Sequence, residues 1–526
     1  MKSRQITHPC AAIAAQLLIL ANPVWAEPPG GESDSNRRRQ AMAERVDELL
    51  GERWSAAGVS PAPTASDPEF LRRVSLDLTG VIPRVAEVRS FLADKREHKR
   101  SHLIRQLLCS PRNASHLAKT WRQAMLPDSR DSARLARSVD LEEWLRRQFA
   151  QNMRYDRIVS DLLVTSGGGS GGPEVFFTAL DLSPEKLAAS TARIFLGLQI
   201  ECAQCHQHPY DDWAQEDFWG YAAFFARLGQ DDTMMRPGKI RLLDLDSGEV
   251  TLPNTATVVD PKYPGGPKAQ ARDGGTRRVQ LAIWMASRDN PYLARAAVNR
   301  VWALLFGRGL VDPIDDLGPH NPPSHPELLR ELTDFFVETG FDLRELFHTL
   351  AITRAYQLTS RTSGDTEPAP DLFARMAVKT LSADQLYDCL RRVGLRKSET
   401  GKPNTCSPKP PERLLFTVSM QMRGSNFAEF DAGLLQALTM LNGPQTSFTT
   451  NRDESDLLAA LHAPFFTDDE RVEMLFLGTL SRFPSADERL LFTGYLRDGG
   501  ARGDSQGAVT DLLWALLNSA EFMLNH

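Results

Sequence analysis

The sequence has no long hydrophobic run, little cysteine and no excess of one charge. Its first apolar stretch, residues 10–21, is too short for a membrane-crossing helix, which needs roughly 20 residues, and no second run reaches that length. Six cysteines among 526 residues exclude a small scaffold built on disulfides. With 61 basic against 67 acidic side chains, a net charge of -6 and no long basic stripe, nothing marks a surface for nucleic acid or anionic lipid. HExxH and kinase strings are missing, so zinc-protease and kinase readings have no motif. The glycine-rich stretch at 167–172 is not followed by the Lys-Ser or Lys-Thr of a phosphate-binding loop.

What remains is ordinary globular composition, 42% apolar and 24% charged, long enough for two to four domains with their own cores. Lys2 and Arg4 precede the apolar stretch, and Val24-Trp25-Ala26 offers the residues a signal peptidase reads. This pattern predicts a signal peptide over 1–26 and a secreted or periplasmic mature chain. Residues 27–66, rich in Pro, Gly, Ser, Arg and Glu, read as a tether with a short helix around 42–50.

From Asp67-Pro68 onward the apolar positions recur at helical spacing, for instance Val85, Val88, Phe91 and Leu92, then Leu103, Ile104, Leu107 and Leu108. Ser183-Pro184-Glu185 supplies a capping hydroxyl, a proline for the first helical position and an acid for the dipole, so a helix is expected from there toward Ile200. Residues 229–275 have many turn formers and few apolar residues. The expected fold is therefore mainly α: a helical domain over 67–228, a Gly/Pro-rich, β-prone connector over 229–275, and a second helical domain over 276–526. Pro83, Glu87 and Phe91 are echoed by Pro484, Glu488 and Phe492, a pattern that duplication or shared capping rules would each produce.

Chemistry concentrates at Cys202-Ala203-Gln204-Cys205-His206, a CxxCH string. On a tight turn, two thiols three residues apart each add to one vinyl group of a porphyrin, which leaves the adjacent imidazole facing the iron as proximal ligand. In a chain of this composition the string arises by chance roughly 0.0014 times. Haem c is therefore the expected cofactor, held by Cys202, Cys205 and His206, and Met234 and Met235 are the nearest candidates for a sixth ligand. A disulfide between the two cysteines, a zinc site completed by His208, and a thioredoxin-like redox pair are the competing readings. His208 lies too close in sequence to ligate the opposite face of the same iron. Trp213, Phe218, Trp219, Tyr221, Phe224 and Phe225 form either a haem wall or plain core. Cys389 and Cys406 are spaced to close a disulfide, leaving Cys109 free.

A second polar group contains Asn290, Arg295, Asn299, Arg300, Arg308, Asp312, Asp315, Asp316, His320 and His325. Asp315, Asp316, His320 and His325 suggest an acid/base, metal or carbohydrate site; capping and buried ion pairs explain the same residues without one.

Phe70-Leu71-Arg72-Arg73-Val74-Ser75-Leu76-Asp77-Leu78-Thr79-Gly80, with Phe195-Leu196-Gly197 and the run from Cys202 to Pro209, resembles the planctomycete cytochrome-c-like (PSCyt) domain. Asn290-Pro291, Asn299-Arg300-Val301-Trp302, the run from Phe306 to Val311 and Leu513 to Ser519 resemble the planctomycete-specific (PSD) domain that follows it. Together they span about 67–526; the departures are Gln207, where the family has an acid, and Arg84-Val85, where it has a Thr-Pro-like helix start. The resemblance implies a secreted or periplasmic protein of uncharacterised function whose CxxCH holds haem; the expected role is electron transfer or redox support for an extracytoplasmic process, beside a redox partner or an extracytoplasmic enzyme. The other reading is a non-redox binding or scaffold protein, for a glycan or a partner enzyme, with CxxCH as a structural pair.

Overall fold

The computed structural model describes residues 31–126, 132–166, 172–231, 241–270, 275–288, 290–361, 367–394, 411–420, 434–451 and 454–526. The fold is mainly α, with three two-stranded antiparallel pairs among these residues. Two of the pairs lie in the expected β-prone connector, Leu228–Gln230 with Leu242–Asp244 and Val250–Thr251 with Val258–Val259. No helix among the described residues is long and apolar enough to cross a membrane.

The segment expected as a tether carries a helix over Gly31–Ala56, more than twice the expected length. Val46, Leu50 and Trp54 on its inner side are buried, and the Trp54 indole donates to Leu372 O at 2.7 Å. Arg39 grips Glu345 and Arg45 grips Glu331, so its charged residues are docking contacts and the segment is part of the fold. Its apolar stripe is thin because those arginines interrupt it, which is why composition read it as a linker.

Two hydrophobic cores form. The first gathers buried residues from Val46 to Met376, with Leu477 added; the second runs from Leu381 to Phe522, with Leu76, Val81 and Ile82 added. They part between Met376 and Leu381, and the first continues across the connector through Tyr263 and Leu281. Irregular composition marks where the chain lacks repetitive structure, and a core closes wherever side chains meet.

The helix Asp67–Thr79 joins the two cores. Pro68 and the acids Asp67 and Glu69 open it, Gly80 closes it in the left-handed conformation (φ 69°), and every side chain from Phe70 to Thr79 is buried. A Cβ at Gly80 would also lie 2.5 Å from the His116 ring, so glycine is needed there for space as well as for backbone freedom. Its buried charged residues find partners inside, all but the Nε atoms of Arg72 and Arg73. Arg72 donates to the carbonyls of Thr479, Glu521, Phe522 and Leu524, and Arg73 to those of Tyr356 and Leu358 and to Glu69. Asp77 accepts from Lys379 Nζ (2.5 Å), Asn525 Nδ2 (2.7 Å) and Tyr356 Oη (2.8 Å).

Candidate functional site

Ser183 caps the helix leading to the CxxCH string as expected, its hydroxyl accepting from Lys186 N at 3.3 Å. The helix Pro184–Thr191 does not continue to Ile200. It widens into a π-helical turn over Ala192–Leu196 and stops at Gly197, which is left-handed at φ 66°. Gly197 O accepts from Leu317 N at 2.8 Å, fastening the end of this helix to the loop that follows the helix Leu293–Phe306. That loop is braced by buried Asn299, which bonds Val311 O and N and Ile314 O.

Beyond Gly197 a 3-10 turn, Glu201–Gln204, carries the motif. Ala203 is fully buried and pins the turn, while Cys202, Cys205 and His206 all face solvent. The two thiols are not joined to each other. His206 Nδ1 lies 2.7 Å from Gln207 O. Because a carbonyl only accepts, Nδ1 carries a proton, and in the neutral ring Nε2 is then the nitrogen with the lone pair. Gln204 O accepts from Trp219 Nε1 (3.0 Å) and Gln215 Nε2 (3.1 Å), which fixes the turn against the next helix, Gln215–Ala222.

His208 turns inward: it is buried, and its Nδ1 accepts from the backbone N–H of Asp211 (3.0 Å) and Tyr210 (3.3 Å). It closes the loop and is no ligand partner of the cysteines; no group of three His, Cys, Asp or Glu among the described residues is placed to hold a metal ion. Of the six aromatics after the motif, Phe218, Tyr221, Phe224 and Phe225 are core. Trp213 and Trp219 are half-buried. Met234, Met235 and Cys406 lie outside the described residues. Cys389 is buried, and burial pushes its thiol up to about 11; Cys109 is exposed and unpaired.

The second polar group does not assemble as one site. Asn290 is a cap, accepting from Tyr292 N and Leu293 N. Asp315 faces back toward the motif, held by Arg193 and Gln199, each at 3.1 Å. Asp316 and His320 are together, with His320 Nε2 3.0 Å from Asp316 Oδ2, and the other ring nitrogen lies 2.9 Å from Asp211 Oδ1. His325 is elsewhere, buried beside Phe373, and burial holds its imidazole down at about 4, with Arg53 adding to the effect. The four residues Asp315, Asp316, His320 and His325 therefore split three ways, because the loop turns between them. Asp211 had no sequence signal, since its partners lie over a hundred residues away.

A neutral buried His325 has a signed consequence. Its folded value lies below the unfolded one, so the stability it contributes is present above the ordinary imidazole value and is lost as pH falls toward about 4. Urea unfolding at near-neutral and mildly acidic pH is expected to show a smaller acid loss in His325→Gln than in the wild type; equal losses would remove His325 from the acid response.

Residues 45–230 match PSCyt2, a protein of unknown function (DUF1549), and residues 277–431 match PSD1, a second protein of unknown function (DUF1553). The chain carries a PSCyt2 part followed by a PSD1 part. The order agrees with the resemblance read from the sequence. No curated protein and no solved structure matches it. The CxxCH string lies in the PSCyt2 part, and the loop from Leu310 to His325, bonded to residues on either side of the string, lies in the PSD1 part. The contacts Gly197–Leu317, Arg193–Asp315 and Asp211–His320 all cross between the two.

Proposed function

We propose that this protein is a secreted or periplasmic c-type haem protein that supports electron transfer to or from an extracytoplasmic partner. The observation that carries the reading is the state of three neighbouring groups: Cys202 and Cys205 are exposed and unjoined on one 3-10 turn, and His206, next along the chain, has its Nδ1 engaged and its Nε2 free. Those residues fit a covalently attached porphyrin, with Cys202 and Cys205 as thioether anchors and His206 as the proximal ligand. Bound there, a haem supplies one-electron chemistry. The protein's own part is to hold the turn still: Ala203 anchors it in the core, and Trp219 and Gln215 fix Gln204. Because Cys202, Cys205 and His206 are exposed, a group held there would be open to a partner.

The test is the full chain expressed in a host with export and c-type haem maturation, followed by a pyridine haemochrome spectrum and a haem-stained denaturing gel. A thioether-type signal that disappears in the Cys202→Ala, Cys205→Ala double variant is the expected result. A folded, colourless wild-type protein overturns the reading and leaves the exposed thiol pair to a non-redox binding role.

A further inference from the structure

We propose that Asp211, His320 and Asp316 form a latch that fastens the loop after the CxxCH turn to the PSD1 part, and that the latch opens when the His320 imidazole loses its proton. The geometry suits a charged ring between two ionised carboxylates: Nδ1 is 2.9 Å from Asp211 Oδ1 and Nε2 is 3.0 Å from Asp316 Oδ2. Ionised carboxylates only accept, so both nitrogens must donate. The side chains of Asp211 and Asp316 are 6% and 15% exposed, and His320 bridges them from the surface. Gly318 leaves the room for this, since a Cβ there would come within 2.5 Å of Asp211 Oδ2 and 2.7 Å of His320 Nδ1.

Each end of the latch is tied to its own part. On one side, Asp211 N donates to His208 Nδ1, and His208 N donates to Trp213 O, so the whole turn from 208 to 213 moves with Asp211. On the other, Asn321 holds Asp312 O and Asp316 O. The remaining groups facing His320 are the rings of His208 and Tyr210, at 6.4 and 6.0 Å between centroids. Asp315 and Asp312 are directed to Arg193 and Arg308. The Asp211 hydrogen bond, followed by that of Asp316, raises the His320 imidazole above its ordinary value. The latch is therefore closed below the ordinary imidazole value and is lost as pH rises through the raised one. A neutral ring keeps one N–H, and the carboxylate left facing a lone pair is repelled.

Hydrogen exchange of the full chain, read on peptides covering residues 205–214, tests this whether or not haem is attached. After correction for intrinsic exchange, wild-type protection is expected to fall on the order of tenfold from mildly acidic to mildly alkaline pH. His320→Gln, whose donors sit on a single nitrogen beside an oxygen that only accepts, is expected to be unprotected at both, and Asp316→Asn to open at lower pH than the wild type. Protection that is independent of pH, or unchanged by His320→Gln, overturns the proposal. Should the variant fail to fold, ring NMR of labelled histidine in the wild type decides: a His320 that titrates at or below the ordinary value overturns it, and one that stays charged beyond it supports it.

Discussion

Asp77→Ala is expected to destabilise the protein by about 3–5 kcal/mol, the range for removing one partner of a buried ion pair. Lys379 and Asp77 are almost fully enclosed, with side chains 7% and 4% exposed. Lys379 Nζ also donates to Leu304 O and Leu305 O at the end of the helix Leu293–Phe306, and those bonds alone cannot neutralise its charge. Tyr356 Oη and Asn525 Nδ2 would lose their acceptor as well. Asp77 lies in the PSCyt2 part, Lys379 and Tyr356 in the PSD1 part, and Asn525 beyond both, so one carboxylate ties together three stretches of chain. Asp77→Asn, which keeps an acceptor without the charge, should fall between. The double variant Asp77→Leu, Lys379→Met removes both charges and should recover much of the loss, because a buried pair is often replaceable by apolar residues of similar volume. Urea midpoints at constant m-value measure all three. A loss under about 1 kcal/mol for Asp77→Ala would show that Lys379 is satisfied by the helix carbonyls and that the ion pair is incidental.

That carboxylate also shows where the sequence was legible and where it was not. The string from Phe70 to Gly80 stood out as a motif, yet nothing along the chain indicated that Arg72, Arg73 and Asp77 would be buried; charged residues on a helix normally face water. Apart from Glu69, which pairs with Arg73 one helical turn away, their partners are 279 to 452 residues distant, and a one-dimensional pattern carries no such pairing. Local rules did far better. The apolar spacing at Val85 to Leu92 and at Leu103 to Leu108 predicted two helices, and Val85–Ala93 and Lys99–Leu108 are there. The paired strings at Glu87 and Glu488 share one capping bond, each carboxylate accepting from the N–H three residues earlier, at Arg84 and at Ser485. The CxxCH string was legible because its chemistry depends on spacing along a single turn. The latch partner Asp211 was not, because it becomes informative only when two distant loops are brought together.

Gly197→Ala is the substitution expected to disturb the CxxCH turn most without touching it. The backbone at Gly197 is left-handed, which costs an L-residue roughly 1–2 kcal/mol. An added Cβ would also lie 2.1 Å from Leu317 Cδ1 and 3.3 Å from Ala296 Cβ, so the buried Leu317 side chain must shift; overpacking of this kind costs typically 1–3 kcal/mol. Leu317 N donates to Gly197 O, so the clash loosens the bond that seats the motif on its support. The two costs can be separated. Leu317→Ala in the Gly197→Ala background removes the clash and leaves the backbone strain, so the double variant should be more stable than the sum of the single losses predicts, by about 1–3 kcal/mol in a double-mutant cycle. Strict additivity would mean that Leu317 moves aside at no cost and that strain at Gly197 is the whole effect. Exchange protection of residues 201–206, measured alongside, should fall in Gly197→Ala and recover in the double variant, because the loop from Leu310 to His325 is bonded to residues on either side of the turn.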